Sequence, residues 1–154
     1  VPVGRPVVRE PVVVRPAAGV AQLAGLVALC VDNDPTILQA MAALLERWGV
    51  RVVPAATIAE AQSAFAAGGI DVVLADYHLD NGEDGLTLIE SLRQSTAQAA
   101  AAALITADHG VEVAARARTL GCPVLHKPVK PAALRAFLGA VGAGRAALRA
   151  RATP

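Results

Sequence analysis

The chain has 154 residues, a formal charge of +1, 55% apolar residue types and only 3% aromatics. That length suits one domain with a tail or two, with a core packed from Ala, Val and Leu. No apolar run approaches the roughly 20 residues of a membrane span, and Cys30 and Cys122 lie outside any CxxC or zinc-like cluster, which argues against a disulfide framework and for buried packing.

Residues 1–24 read as a linker or the end of a preceding domain. Pro2, Pro6, Pro11 and Pro16 recur among valines and arginines, a spacing that forbids a helix and favours extended backbone. The pattern then alternates. Apolar runs suited to buried strands are Leu26–Val31, Val50–Pro54, Val72–Ala75, Ala102–Thr106 and Val124–His126. Between and after them, helical periodicity covers Pro35–Trp48, Ile58–Ala67, Gly85–Gln94, Val111–Leu120 and Ala132–Val141. In the first of these helices Ile37, Leu38, Met41, Leu44, Leu45 and Trp48 form one apolar stripe. Asp34 followed by Pro35 supplies an N-cap and a proline at the first helical position. Gly49 and Gly121 stand where two helices should stop. Five strands alternating with five helices predict an α/β domain over residues 25–141, a doubly wound five-stranded parallel sheet. Residues 142–154 read as a basic tail rich in Gly, Ala and Arg. From Val113 onward there are eight Lys or Arg and no Asp or Glu. Such a stretch can contact nucleic acid or an acidic partner, but a solvated helix face plus a basic tail is the preferred reading.

In doubly wound sheets, ligands bind outside the carboxyl ends of the strands. Four of the five strands here end in polar residues: Asp32-Asn33-Asp34, Asp76, Thr106 and Lys127. Brought to one rim, acids, a hydroxyl and an ammonium make a magnesium and phosphoryl site. Magnesium takes hard oxygen ligands and keeps several waters, a carboxylate can attack phosphorus to give an acyl phosphate, and a cation and a hydroxyl stabilise the charge on the transferring oxygens. Taken singly, Asp34 reads better as a helix cap than as a ligand, Thr106 as a strand residue and Lys127 as a solvated lysine.

Four segments in order carry a family resemblance. Leu29-Cys30-Val31-Asp32-Asn33-Asp34-Pro35 is similar to the acidic turn of response-regulator receivers, and Val73-Leu74-Ala75-Asp76-Tyr77-His78-Leu79 to their phosphoacceptor strand. Leu104-Ile105-Thr106-Ala107 resembles the strand with the switch Thr or Ser, and His126-Lys127-Pro128 the Lys-Pro turn, where the peptide bond before Pro is typically cis. The separations also fit: 43 residues from Asn33 to Asp76, 30 to Thr106 and 21 to Lys127. The resemblance covers about residues 26–141 and implies the (βα)5 flavodoxin-like receiver fold of two-component signalling. It implies Asp76 as phosphoacceptor, with Thr106 and Lys127 on the phosphoryl oxygens. Magnesium would be held by Asp32, Asn33, Asp76 and the backbone carbonyl of His78, and small Ala107 would leave room for an incoming phosphohistidine. The implied partners are a histidine kinase or a histidine phosphotransfer protein as phosphohistidine donor, with a homodimer allowed and neither nucleic acid nor membrane contacted directly. The implied location is cytoplasmic.

The sequence departs from the family pattern in three places. Asn33 stands where receivers usually carry a second acid, which predicts magnesium affinity weaker by about 1–2 kcal/mol for want of one charged ligand. Val124 occupies the position of an aromatic switch residue. The loop after Asp76 lacks a proline four residues on, is one residue longer, and with Asp80-Asn81-Gly82-Glu83-Asp84 is acidic and expected to be mobile. Two rival readings remain. Asp32-Asn33-Asp34-Pro35-Thr36 fits the DxDxT nucleophile motif of haloacid-dehalogenase-like phosphatases, with Asp32 as nucleophile, but no acid follows Lys127 to complete that site. A degenerate receiver that binds without being phosphorylated is the other. Val1–Pro16 resembles the end of a histidine-kinase ATP-binding domain. The expected parent is therefore a hybrid sensor histidine kinase with this receiver at its C-terminus and no kinase activity in the receiver itself. The start at a residue other than Met favours a fragment over a stand-alone receiver with an arm.

Overall fold

The structure is a computed structural model that describes residues 23–95 and 100–152; of the expected linker at residues 1–24, residues 1–22 lie outside them, while Leu23 is buried in the core. Strand β1 (Val27–Val31) leads into helix α1 (Pro35–Arg47), then β2 (Arg51–Ala55), α2 (Ile58–Ala66), β3 (Val72–Asp76) and α3 (Gly85–Ser95). The chain continues through β4 (Ala101–Thr106), α4 (Val111–Thr119), β5 (Val124–His126) and α5 (Pro131–Ala152). All five strands are parallel, in the order β2-β1-β3-β4-β5.

The two-residue period of the strands explains why helices cover both faces. Leu29, Val31, Val73, Ala75 and Leu104 point to one side, where Phe65 of α2, Leu86 and Ile89 of α3 and Ala117 of α4 meet them. Ala28, Cys30, Leu74, Ala103 and Ile105 point to the other, against Leu38 and Leu45 of α1 and Leu134 and Leu138 of α5. Both cysteines are free and buried, as expected, and burial pushes the Cys30 thiol up to about 12, so it packs as an apolar side chain. Pro54, which has no N–H to give a ladder, sits in β2 at the sheet edge, where a strand tolerates it.

Helix boundaries follow local chemistry. Asp34 caps α1 by accepting from the Thr36 N–H at 2.9 Å, with Pro35 opening the first turn. Thr57 Oγ1 accepts from the Glu60 N–H, and the Glu60 carboxylate returns to the Ala56 N–H at 2.8 Å, a variant of the capping box. Strands and helices begin and end within one residue of expectation, with one exception. The last helix, expected to stop at Val141, continues to Ala152. Gly142 and Gly144 each cost about 1 kcal/mol against alanine, but the surrounding Ala and Arg are strong helix formers. Arg145 also ties the extension to the body through Asp71, 3.4 Å away. Among the described residues no helix is long and apolar enough to cross a membrane.

Candidate functional site

The strand order reverses between β1 and β3, and the carboxyl ends of these neighbours open a crevice there. Asp32 immediately follows β1 and Asp76 closes β3. Each is only 6% exposed. Lys127, just beyond β5, reaches back across the rim. Its Nζ lies 2.7 Å from Asp76 Oδ1 and 3.6 Å from Asp32 Oδ2. The turn that aims it is fixed by the Lys127 N–H donating to the Thr106 carbonyl at 2.9 Å and by a cis bond between Lys127 and Pro128. Thr106, 1% exposed at the end of β4, accepts through Oγ1 from the Asp108 N–H at 2.9 Å. Asp32, Asp76, Thr106 and Lys127 thus come to one rim from four strands, as the sequence led us to expect.

The lysine is shared unequally, and the electrostatics follow. Burial raises the Asp32 carboxyl above the usual carboxylate range and the Asp76 charge adds to it, while the Asp34 N–H donating at 2.9 Å and the more distant Lys127 pull only partly the other way. Burial alone would lower the Lys127 ammonium, but Asp76 and Asp32 outweigh it and hold it above its ordinary value. Two carboxylates against one ammonium leave the cluster one negative charge in excess.

That excess suits a cation. Among the described residues no three His, Cys, Asp or Glu side chains converge to hold a metal. A cation here would rest on two carboxylates, with amide, carbonyl or water oxygens completing its shell. An all-oxygen, water-rich donor set fits magnesium rather than zinc. Asn33 is exposed beside Asp32, and its amide nitrogen donates to Asp80 Oδ1 at 2.8 Å. His78 is exposed two residues past Asp76, its ring edge-on to Tyr77 with centroids 4.9 Å apart.

Some of the surroundings were not visible in the sequence. The loop after Asp76, expected to be mobile, is a hydrogen-bonded turn. Asp80–Gly82 forms a single 3-10 turn with Asn81 at φ 64°, the Leu79 N–H donates to the Glu83 carbonyl, and the Gly85 N–H donates to the Tyr77 carbonyl. Asp84 caps α3 through the Thr87 N–H at 2.8 Å and pairs with Arg116 of α4 at 3.2 Å. Burial would raise the Asp84 carboxyl, yet the Thr87 N–H and Arg116 together hold it below its ordinary value. The Asn33–Asp80 bond joins residues 47 apart in sequence, and no local pattern could announce it. On the α1 side, Asp32, Asp76 and Lys127 line a groove of about 280 Å³ together with Met41, Leu44 and Leu134.

The family model described as the response regulator receiver domain matches residues 28–138. Among solved structures, a response regulator receiver domain protein from Clostridium thermocellum is 25% identical with a TM-score of 0.72, covering 80% of this chain and 98% of its own. The signal receiver domain of an HD domain-containing protein from Pseudomonas fluorescens Pf-5 is 26% identical with a TM-score of 0.72, covering 82% and 93%. The chemotaxis protein CheY4 of Vibrio cholerae is 25% identical with a TM-score of 0.69, covering 77% and 99%. No curated protein matches the chain.

Proposed function

The chain belongs to the response regulator receiver domain family of two-component signalling, and from that premise we propose that Asp76 takes a phosphoryl group from a phosphohistidine. The observation that carries this reading is the 2.7 Å contact of Lys127 Nζ with Asp76 in a crevice shared with Asp32. An Asp76 carboxylate oxygen attacks phosphorus in line with the imidazole. The new O–P bond forms as the N–P bond breaks, and the electron pair returns to the imidazole nitrogen, which takes up a proton. Lys127 and the Thr106 hydroxyl donate to the phosphoryl oxygens. Asp32, Asp76, Asn33 and the His78 carbonyl are the groups that would hold magnesium. Bound there, magnesium supplies neutralising charge for the transferring oxygens.

The donor is a histidine kinase or a phosphotransfer protein, met in the cytoplasm, and the parent is a hybrid sensor histidine kinase. Homodimerisation belongs to the same reading, and direct nucleic-acid binding does not. Incubation with magnesium and phosphoramidate, then borohydride reduction and mass mapping, is expected to place the acyl phosphate on Asp76. A label on Asp32 would instead support the phosphatase reading, and no label with a competent donor the degenerate module. Magnesium titration by calorimetry adds a second check. Asn33→Asp is expected to tighten binding by about 1–2 kcal/mol through the added charge, and unchanged affinity would remove Asn33 from the ligand set.

A further inference from the structure

Asp80 takes no part in the phosphoryl chemistry above, yet it holds a residue that does. The Asn33 amide nitrogen donates to Asp80 Oδ1 at 2.8 Å, across 47 residues of sequence, and both side chains are exposed. An exposed polar pair adds little to stability. What it does is fix an orientation.

Both partners stand on fixed backbone. The Asp32 N–H donates to the Ala55 carbonyl at 3.1 Å and the Asp34 N–H to Asp32 Oδ1 at 2.9 Å, so the turn carrying Asn33 is held on either side of it. Asp80 directly follows Leu79, which is buried in the core. Its turn closes with Asn81 and Gly82 at φ 64° and 73°, and with the Glu83 N–H donating to the Asp80 carbonyl at 3.3 Å. Asp80 lies four residues past Asp76, where the family pattern has a proline, and a proline has no carboxylate to offer.

The chemistry of the pair decides which way the amide faces. A carboxylate only accepts, so the end of Asn33 that meets Asp80 must be its nitrogen. The amide is planar, with nitrogen and oxygen at opposite corners. Holding the nitrogen on Asp80 turns the oxygen away from it. A freely rotating Asn33 would offer a cation its NH2 group as readily as its oxygen, and an NH2 group repels a cation. An acid at the same position has no wrong end, because both its oxygens are ligands. The neutral amide therefore needs a partner that the acid does not.

We propose that Asp80 is a positioning residue of the magnesium site: it anchors the Asn33 amide by its nitrogen and so keeps the amide oxygen available as a cation ligand. The proposal rests on the reading of Asn33 as a magnesium ligand. It extends the site to the loop after β3 and gives that loop's first acid a task distinct from adding charge.

The test is magnesium calorimetry on the full chain. Asp80→Ala is compared with Glu83→Ala, which removes the same charge from another exposed acid of the same loop. Asp80→Ala is expected to raise the magnesium Kd about tenfold, the low end of the roughly 10–100-fold cost of removing a group that orients a metal ligand. Glu83→Ala gives the charge effect alone and is expected to cost clearly less. In an Asn33→Ala background, Asp80→Ala should cost no more than Glu83→Ala, because no amide is left to turn. NMR reports the bond directly: the Asn33 side-chain amide signals are expected to shift in Asp80→Ala and to stay in place in Glu83→Ala, with the backbone spectrum of the core unchanged in both. If Asp80→Ala costs no more than Glu83→Ala, or costs as much with Asn33 removed as with it present, the proposal is overturned while magnesium binding stands. If the native chain takes up no magnesium, the metal site falls and the proposal with it.

Discussion

Gly85→Ala is expected to destabilise the protein by about 3 kcal/mol, a core-overpacking cost at the upper end of the usual range, and to displace Asp76 with it. Gly85 is the first residue of α3 and is buried. A Cβ built there would lie 2.3 Å from the Asp76 carbonyl oxygen, 3.1 Å from its carbon and 3.1 Å from Leu104 Cδ1. The leucine end can swing aside, but the backbone of a central strand cannot. Either α3 lifts from β3, straining the 2.9 Å bond from the Gly85 N–H to the Tyr77 carbonyl, or β3 shifts and carries Asp76 away from Lys127. The strain is purely steric, because the backbone of Gly85 does not need positive φ. Gly82→Ala separates the two effects. That residue has φ +73° and open space around its missing Cβ, so its cost is the left-handed penalty alone, about 1–2 kcal/mol. Urea denaturation of the two variants decides. A Gly85→Ala loss no larger than that of Gly82→Ala would mean that the helix and strand are not as tightly seated as their geometry implies.

That close seating shows where a sequence speaks and where it is silent. The strands were legible because each is a short, mostly apolar run, the three central ones buried on both faces, and the helices because a cap such as Asp34 and stops such as Gly49 and Gly121 act within a few residues. The rim was legible because a parallel sheet brings all strand ends to one side, so a polar residue after each run must gather there. What was not legible depends on partners that only folding supplies. The end of α5 is one case: glycine is a local signal to stop, yet the Arg145–Asp71 pair and the helix-forming neighbours overrule it. Asn33 is another. The sequence shows a missing charge beside Asp32, but not that its amide is engaged by Asp80 from a longer loop. A carboxylate therefore does stand next to Asn33, contributed by the loop after β3 instead of the turn after β1.

Lys127→Met is expected to act in opposite directions on the two halves of the site's chemistry. The phosphoryl-transfer rate to Asp76 should fall by about 10²–10³-fold, the usual cost of deleting one preorganised donor from a developing oxyanion. Magnesium affinity should rise. The ammonium now occupies the space between Asp32 and Asp76, 3.6 Å and 2.7 Å from their oxygens. A dication entering the crevice must compete with it for those lone pairs. Removing it takes the cluster from one excess negative charge to two. Without metal, the variant carries two carboxylates that are each 6% exposed and have lost their counter-charge. Breaking a fully buried pair costs about 3–5 kcal/mol. Because the lysine side chain is 29% exposed, water screens part of that, and a loss of about 2 kcal/mol is the expected size. Magnesium should restore most of it, since a ligand bound only by the folded state adds stability as RT ln(1 + L/Kd), with L the free ligand concentration. Calorimetric titration, rapid-mixing phosphorylation and thermal melts with and without magnesium measure the three quantities separately. If transfer and magnesium affinity fell together, Lys127 would be a scaffold for the acidic cluster. A slower transfer with tighter metal would instead identify it as the group that stabilises the charge moving onto Asp76, with the resting contact to Asp32 and Asp76 as its parked position.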